Sequence, residues 1–426
     1  MRHSLKMAMT VLAMALFAAC TVGAAEFYVA PDGADDNPGS LEKPFKTPAR
    51  GVSELMPGDT LFFRAGTYRC KTDRKIGLAP KCSGSKDKPV TLCNYKNEHV
   101  KLDVSGTDWG LSNNGFSWIV FDGFEVVGGN NNTKLGRGPA GWGSHVTIRN
   151  CLYQKSGGQP NLFAAGTKNI VIENCIFRHA GRSHGLYFAK GCDDSVVRNC
   201  TSHDNHGNSG MQFRGGIKNL LVENCILYNN AQGFSLAGVI NSVFRNNVVY
   251  NNGYVGPRNS GWRDVILIPG VNTLLENNTF VNIIPHKHKI MNVVNIKGGS
   301  KNLTFRNNIV VCRGKPLFTI ESTQGLVFEN NCLYNIGGGE QVNGKGTLEK
   351  FAEGSGVKAS GTVTADPKFK DIREGDFRIE EGSPCIDAGA ETKADAKVAG
   401  KGIDIGAYEF GKEGGIGADL PWQKAE

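Results

Sequence analysis

From residue 118 to residue 333 the chain repeats short apolar runs that alternate with polar positions every second residue. Written beneath one another they read "VTIRNCLY" (146–153), "IVIENCIF" (170–177), "SVVRNCTS" (195–202) and "LLVENCIL" (220–227), then "SVFRNNVV" (242–249), "TLLENNTF" (273–280), "LTFRNNIV" (303–310) and "LVFENNCL" (326–333). The runs are rich in β-branched residues and too short for helices, so each predicts a strand. Asn150, Asn174, Asn199, Asn224, Asn246, Asn277, Asn307 and Asn330 recur at intervals of 24, 25, 25, 22, 31, 30 and 23 residues. A degenerate earlier copy, "WIVFDGFE", puts Asp122 in the place of the asparagine.

Such an interval marks a solenoid in which each repeat is one coil of a parallel β-helix. Asparagine suits the left-handed backbone needed at a sharp corner. Coils about 4.8 Å apart let equivalent amides bond in a ladder. Cys151, Cys175, Cys200 and Cys225 share one ladder position, which passes to asparagine from Asn247 onward. They read as stacked buried thiols, with metal binding or disulfides the alternatives. An odd eleven cysteines remain after Cys20, so they cannot all pair within one chain.

The fold expected is all-β, with a helical cap and an irregular closing segment. "TPARGVSELMPGDTLFFRAGTY" predicts a short amphipathic helix from Pro48 to Met56 that plugs the first coil. The organisation read from the sequence is residues 1–25 signal, 26–135 cap and first coils, 136–335 repeats and 336–426 closing segment.

The N-terminal "YVAPDGADDNPGSLEKPFKTPARGV" and "PGDTLFFRAGTYR", with "KPVTLCNYKNEHVKLDVSG", resemble the entry region of polysaccharide lyase families six and nine. The C-terminal "DPKF", "DFRI", "GSPCIDAGA" and "DIGAYEF" are similar to the tail of many exported β-helix proteins. The resemblance implies a right-handed helix of the pectate lyase-like superfamily and action on polysaccharide. It does not settle the reaction, because this fold hosts lyases, hydrolases, epimerases and binders. The aspartate cluster of family nine has no counterpart, Asp193–Asp194 being the nearest acidic pair, and no lysine–arginine pair of family six transfers.

Counting back 11 residues from Asn174, Asn199 and Asn224 reaches Phe163, Phe188 and Phe213, which should stack inward on the preceding strand. Leu162, Tyr187 and Gln212 then face outward, followed on later coils by Ser235, Leu267, Asn295 and Thr319. Arg214 and Lys297 lie two residues further on. The loops before this strand hold six of the nine histidines, namely His179, His184, His203, His206, His286 and His288. Titratable groups thus gather beside a groove along the solenoid.

β-Elimination on a uronic-acid polymer needs a cation or amide at the sugar carboxylate, a base near neutral pKa and a proton donor. The expected base is His206 or His184, with His203 as an orienting or substituting partner, although His203 can equally stack on Tyr228. Arg214 and Gln212 would hold the carboxylate and Tyr187 would protonate the departing oxygen. Ser235, Asn295 and Lys297 would line the groove, and Trp262, like Tyr254, could stack on sugar. A glycosidase would instead need two carboxyls at defined separation, and none of the outward residues is acidic. Hydrolysis (with Asp204 and Asp264 as loop carboxylates) and non-catalytic carbohydrate binding remain the alternatives.

The sequence specifies no cofactor with certainty. Calcium bridging to a carboxylate is possible, and His203, Asp204 and His206 do not make a closed zinc set. The formal charge of +8 suits an acidic polysaccharide without demanding one. Nothing points to nucleic acid, and the chain is expected to be a monomer. "MRHSLKMAMTVLAMALFAACTVGAA" reads as a secretion signal cleaved after Ala25, for a secreted or periplasmic protein, with Cys20 as an alternative lipid-anchored start. No later segment predicts a membrane span.

Overall fold

A computed structural model of the chain describes residues 23–70, 76–253, 265–267, 269–283, 292–339, 341–344, 346–392 and 400–423. The repeats form coils of three short strands. One coil runs through Val196–Arg198, Thr201–His203 and Ser209–Arg214. Stacked coils make parallel sheets of thirteen, eleven and ten strands among the described residues. This is the expected β-helix. Period-two alternation drives it: Val197, Phe188 and Phe213 are fully buried in the interior, while Arg198 and Gln212 stay in contact with solvent.

The eight corner asparagines have φ between 49° and 56°, the left-handed conformation their residue type tolerates best. The unbroken amide ladder stands one position later than they do. Asn247 Nδ2 donates to Asn278 Oδ1, Asn278 Nδ2 to Asn308 Oδ1 and Asn308 Nδ2 to Asn331 Oδ1, at 2.9, 2.9 and 3.0 Å. A second ladder, Asn205–Asn230–Asn252, stands at the next corner. Cys151, Cys175, Cys200 and Cys225 continue the first ladder as unpaired, fully buried thiols.

Immediately before each corner residue, an asparagine or in the degenerate copy Gly123 (φ 80°), the thirteen-stranded sheet carries a column of alternating charge, so Asp122 precedes the corner and does not take the asparagine's place. Asp122, Arg149, Glu173, Arg198, Glu223, Arg245, Glu276, Arg306 and Glu329 are register partners in succession. Ion pairs of 2.6 to 3.4 Å join Arg149 to Asp122, Arg198 to Glu173, Arg245 to Glu223, and Arg306 to both Glu276 and Glu329. Its signal is the alternation of "RN" and "EN" in the repeats, which the apolar pattern overshadows.

The cap helix spans Pro48–Glu54 and packs Val52 on the first coil. It stops short of Met56 because Pro57 disfavours helical backbone in the residue before it. At the other end, the helix Leu348–Glu353 buries Leu348 and the strand Lys358–Ser360 closes the thirteen-stranded sheet. The remaining tail runs back along the solenoid as a strap. Asn330 Nδ2 donates to Ala388 O, Asn307 Nδ2 to Ala390 O, Asn277 Nδ2 to Asp404 O and Asn174 Nδ2 to Asp419 O. Trp422 Nε1 donates to Asn150 O, and its ring stacks on His99. The strap covers the outer face of the eleven-stranded sheet, burying Val281, Val311 and Cys332 beneath Phe377, Ile379 and Ile405. Among the described residues no helix is long and apolar enough to cross a membrane.

Candidate functional site

The strap does not cover the ten-stranded sheet. Its register corrects the sequence-based count at two places. Phe163 pairs with Tyr187 and so lies on the outward row, while Leu162 and Ala164 are fully buried. Ser235 pairs with Ile266 rather than Leu267. After Phe163 the turn into the next strand is one residue shorter than after Tyr187 or Gln212, which moves the alternation by one and exchanges the faces of Phe163 and Leu162, while Leu267 simply stands one residue past the outward place. The row along the solenoid is therefore Lys134, Phe163, Tyr187, Gln212, Ser235, Ile266, Asn295 and Thr319.

Tyr187 is half-buried, its ring edge-on to Phe163 at 5.2 Å. Gln212 is its register partner on the next coil. Arg214, exposed at the end of the same strand as Gln212, pairs with no carboxylate among the described residues. Gln212, Arg214, Ser235, Ala237 and Pro269 line a groove of about 430 Å³, floored by Gly215, Gly216 and Gly238. Those three glycines have φ of 95°, 78° and 91°, so side chains are kept from the floor by backbone conformation.

The other expected site residues are distributed differently. Asn295 is 1% exposed, not open to the groove. Lys297 is on the sheet but ion-paired with Glu321. Trp262, Tyr254, Asp264, His286 and His288 lie outside the described residues.

His184 is also buried, at 6% exposure. Its Nδ1 accepts the Ser209 N–H at 3.3 Å, its ring lies 5.1 Å from that of Tyr187, and burial pushes its pKa down to about 3. It stays neutral at any ordinary pH but is a poor proton acceptor from substrate.

His179, His203 and His206 surround one carboxylate. His203 Nδ1 bonds Asp204 Oδ2 at 2.6 Å, His206 Nε2 stands 3.7 Å from Asp204 Oδ1, and His179 Nε2 stands 4.0 Å from Asp204 Oδ2. Asn229 Nδ2 also donates to Asp204. Burial tends to raise the Asp204 pKa, but the bonds from His203 and Asn229 hold it below the usual carboxylate value. Burial lowers the pKa of both His203 and His206, against the pull of Asp204. This cluster sits at the corner where the strand Ser209–Arg214 begins, whereas Arg214 ends it. Five residue steps at about 3.3 Å each put them roughly 17 Å apart, too far to share one sugar. His203, in register with Tyr228, stacks on that ring from the eleven-stranded sheet.

Lys134 belongs to the groove row but was not singled out from sequence. Its Nζ lies 3.2 Å from the centroid of Trp109, and burial lowers its pKa. A lone lysine in a strand carries no spacing signal, so only the register reveals it.

Asp193 and Asp194 are engaged by Lys218 N and Asn219 Nδ2 at a turn. Among the described residues no group of three or more histidine, cysteine or acidic side chains is placed to hold a metal.

Residues 27–263, more than half of the chain, match the family described as Pel9A-like, right handed beta helix region. The chain belongs to that family.

Over 89 residues it is 36% identical to pectate lyase PEL9 of Emericella nidulans, and over 120 residues 31% identical to pectate lyase L of Paenibacillus polymyxa. Over 75 residues it is 41% identical to the uncharacterised protein YwoF of Bacillus subtilis. These alignments take in 21%, 27% and 18% of this chain, and only 20%, 26% and 15% of the respective relatives. In fold, the Pel9A-like chain is similar to the crystal structure of pectate lyase Pel9A, with a TM-score of 0.62 and 18% identity. That match covers 91% of this chain and 97% of the other. A rhamnogalacturonan lyase matches with a TM-score of 0.57 and 14% identity, over 82% of this chain and 91% of that one. At such identities the likeness speaks for the coil architecture alone.

Proposed function

We propose that this protein cleaves a uronic-acid-containing polysaccharide by β-elimination in the groove on the ten-stranded sheet. The observation that carries the reading is Arg214, a guanidinium without a carboxylate partner among the described residues, lining that groove beside Gln212. A fixed cation of this kind is a ready seat for a sugar carboxylate, which it grips with two parallel N–H donors. Neutralising the carboxylate stabilises the negative charge that builds up when the neighbouring C–H is ionised.

Tyr187, on the adjacent coil, gives its phenolic proton to the departing oxygen and regains one from the ionising C–H, so that a single side chain accounts for both proton movements. His184 packs behind it as a neutral orienting ring rather than acting as base. His206 retains an unprotonated imidazole at neutral pH but lies at the far end of the strand, so it serves a different sugar from Arg214. The outward row offers no pair of carboxyls, which favours elimination over hydrolysis. Membership among Pel9A-like helices, with pectate lyases as partial relatives, agrees with this chemistry.

The test is incubation with a panel of acidic and neutral polysaccharides, following unsaturated-uronate absorbance and reducing ends together. Both signals are expected from an acidic polymer, and Arg214→Ala should lower both by about tenfold to a hundredfold. Reducing ends without absorbance would replace elimination with hydrolysis. Silence across the panel would leave a binding groove and no lyase.

A further inference from the structure

Trp142 is the most exposed tryptophan among the described residues, at 52%. Its ring lies directly over Gly166, where an added Cβ would meet ring carbons at 2.1 to 2.8 Å. Gly166 also has φ of +69°, so two independent constraints keep that position free of a side chain. The Trp142 carbonyl accepts the Thr167 hydroxyl at 3.0 Å, which ties the indole's backbone to the same corner. The ring is thus held flat on the surface instead of packing into the core.

This corner continues toward Arg214. Gly166 N donates to Lys190 O, Gly191 lies against Gly166, Gly215 against Lys190, and Gly238 against Gly216. From Gly166 to Gly215 is two coil steps, or about 10 Å, roughly the length of two pyranose units. An exposed indole and a guanidinium with no carboxylate partner among the described residues therefore stand on one edge of the ten-stranded sheet.

We propose that Trp142 is the platform of a distal saccharide subsite, stacking on the C–H face of a pyranose about two units from the sugar whose carboxylate Arg214 holds. The inference rests on the groove reading given above and adds a minimum length, since a ligand must have at least three units to reach both residues. Stacking gains affinity by burying an apolar sugar face against a large rigid ring, whereas the guanidinium selects charge.

The test uses the full-length protein with oligogalacturonates and oligoalginates of two to six units, measuring affinity by calorimetry and by tryptophan fluorescence. Wild type is expected to gain affinity between two units and four. Trp142→Ala should lower affinity for four units and above by about tenfold and leave two units unchanged, while Trp142→Phe retains most of it. Arg214→Ala should weaken every length. An unaltered melting temperature would show that Trp142→Ala still folds, as a surface substitution should. If Arg214→Ala weakens binding but Trp142→Ala leaves the length dependence intact, the distal subsite is wrong and the groove reading stands. If wild type binds no length of either series, both fall.

Discussion

The imidazole of His203 lies parallel to the phenol of Tyr228, their centroids 4.8 Å apart and their planes inclined by 2°. Tyr228 in turn stacks on Tyr250, and Tyr250 meets Phe377 of the strap. The contact continues the column across coils, while Nδ1 of the same ring is bound to Asp204. His203→Ala is expected to destabilise the fold by about 1–3 kcal/mol, measured by urea unfolding. Activity normalised to folded protein should change little, and a large loss of turnover would make His203 a catalytic residue after all.

His184 predicts an acid branch in the stability profile. Its folded pKa of about 3 lies far below the ordinary histidine value, so the unfolded chain binds the proton first. The stabilising contribution is complete above about pH 6.5 and falls with pH from there toward 3, at up to about 1.4 kcal/mol per unit. His184→Asn keeps an acceptor for the Ser209 N–H but does not titrate. Melting curves from pH 7 to 4 should therefore fall less steeply in the variant, and equal slopes would show that other groups account for the branch.

The charge column makes Arg306 a keystone between Glu276, only 4% exposed, and Glu329. Arg306→Met leaves two carboxylates facing each other across a vacated coil. A loss of about 1–3 kcal/mol in urea unfolding is expected, along with a rise in the Glu276 pKa beyond what burial already causes. A neutral outcome would mean that solvent screening suffices there.

The two halves of the corner ladder should respond unequally to truncation. Asn278→Ala breaks a chain of amides, leaves the buried Asn247 backbone N–H without its acceptor and takes one of two partners from both Asn247 Nδ2 and Asn308 Oδ1, at a cost of about 3 kcal/mol. Cys200→Ala, at the same ladder position among the thiols, removes one sulfur and should cost about 1–2 kcal/mol. Thermal denaturation of both variants checks the order, and equal losses would show that the amides act as spacers.

Arg214→Ala should lower kcat/KM on the productive acidic polymer by about tenfold to a hundredfold without moving the melting temperature. Tyr187→Phe should lower kcat with KM nearly unchanged, because its hydroxyl serves in the transition state and not in binding. Steady-state kinetics separates the two, and a matching rise in KM for both would remove Tyr187 from proton transfer.

The coil was legible because a stacked architecture repeats its requirements: asparagine at one corner of coil after coil, apolar residues at the inward positions. Phe163 escapes the count because fixed spacing cannot sense a turn shortened by one residue, whereas the outward place on the later coil is Ile266, one residue before Leu267. His184 and His206 looked equivalent in sequence, yet one sits beneath a ring and the other beside Asp204, a distinction made by the corner's three-dimensional path. The groove histidines and Arg214 fell on one set of coils, as the repeat implied, but at opposite ends of one strand. The tail has no repeat, so its course along the solenoid had no periodic trace to follow.

That course ties the beginning of the molecule to its end. A stack of coils ordinarily frays from either terminus one layer at a time, each layer leaning only on the next. Here hydrogen bonds from residues 388–422 reach successive layers as far back as Asn150, so peeling any one layer also loosens a tether shared by the others. Unfolding is thereby made more nearly all-or-none, because residues 388–422 secure coils far upstream of themselves.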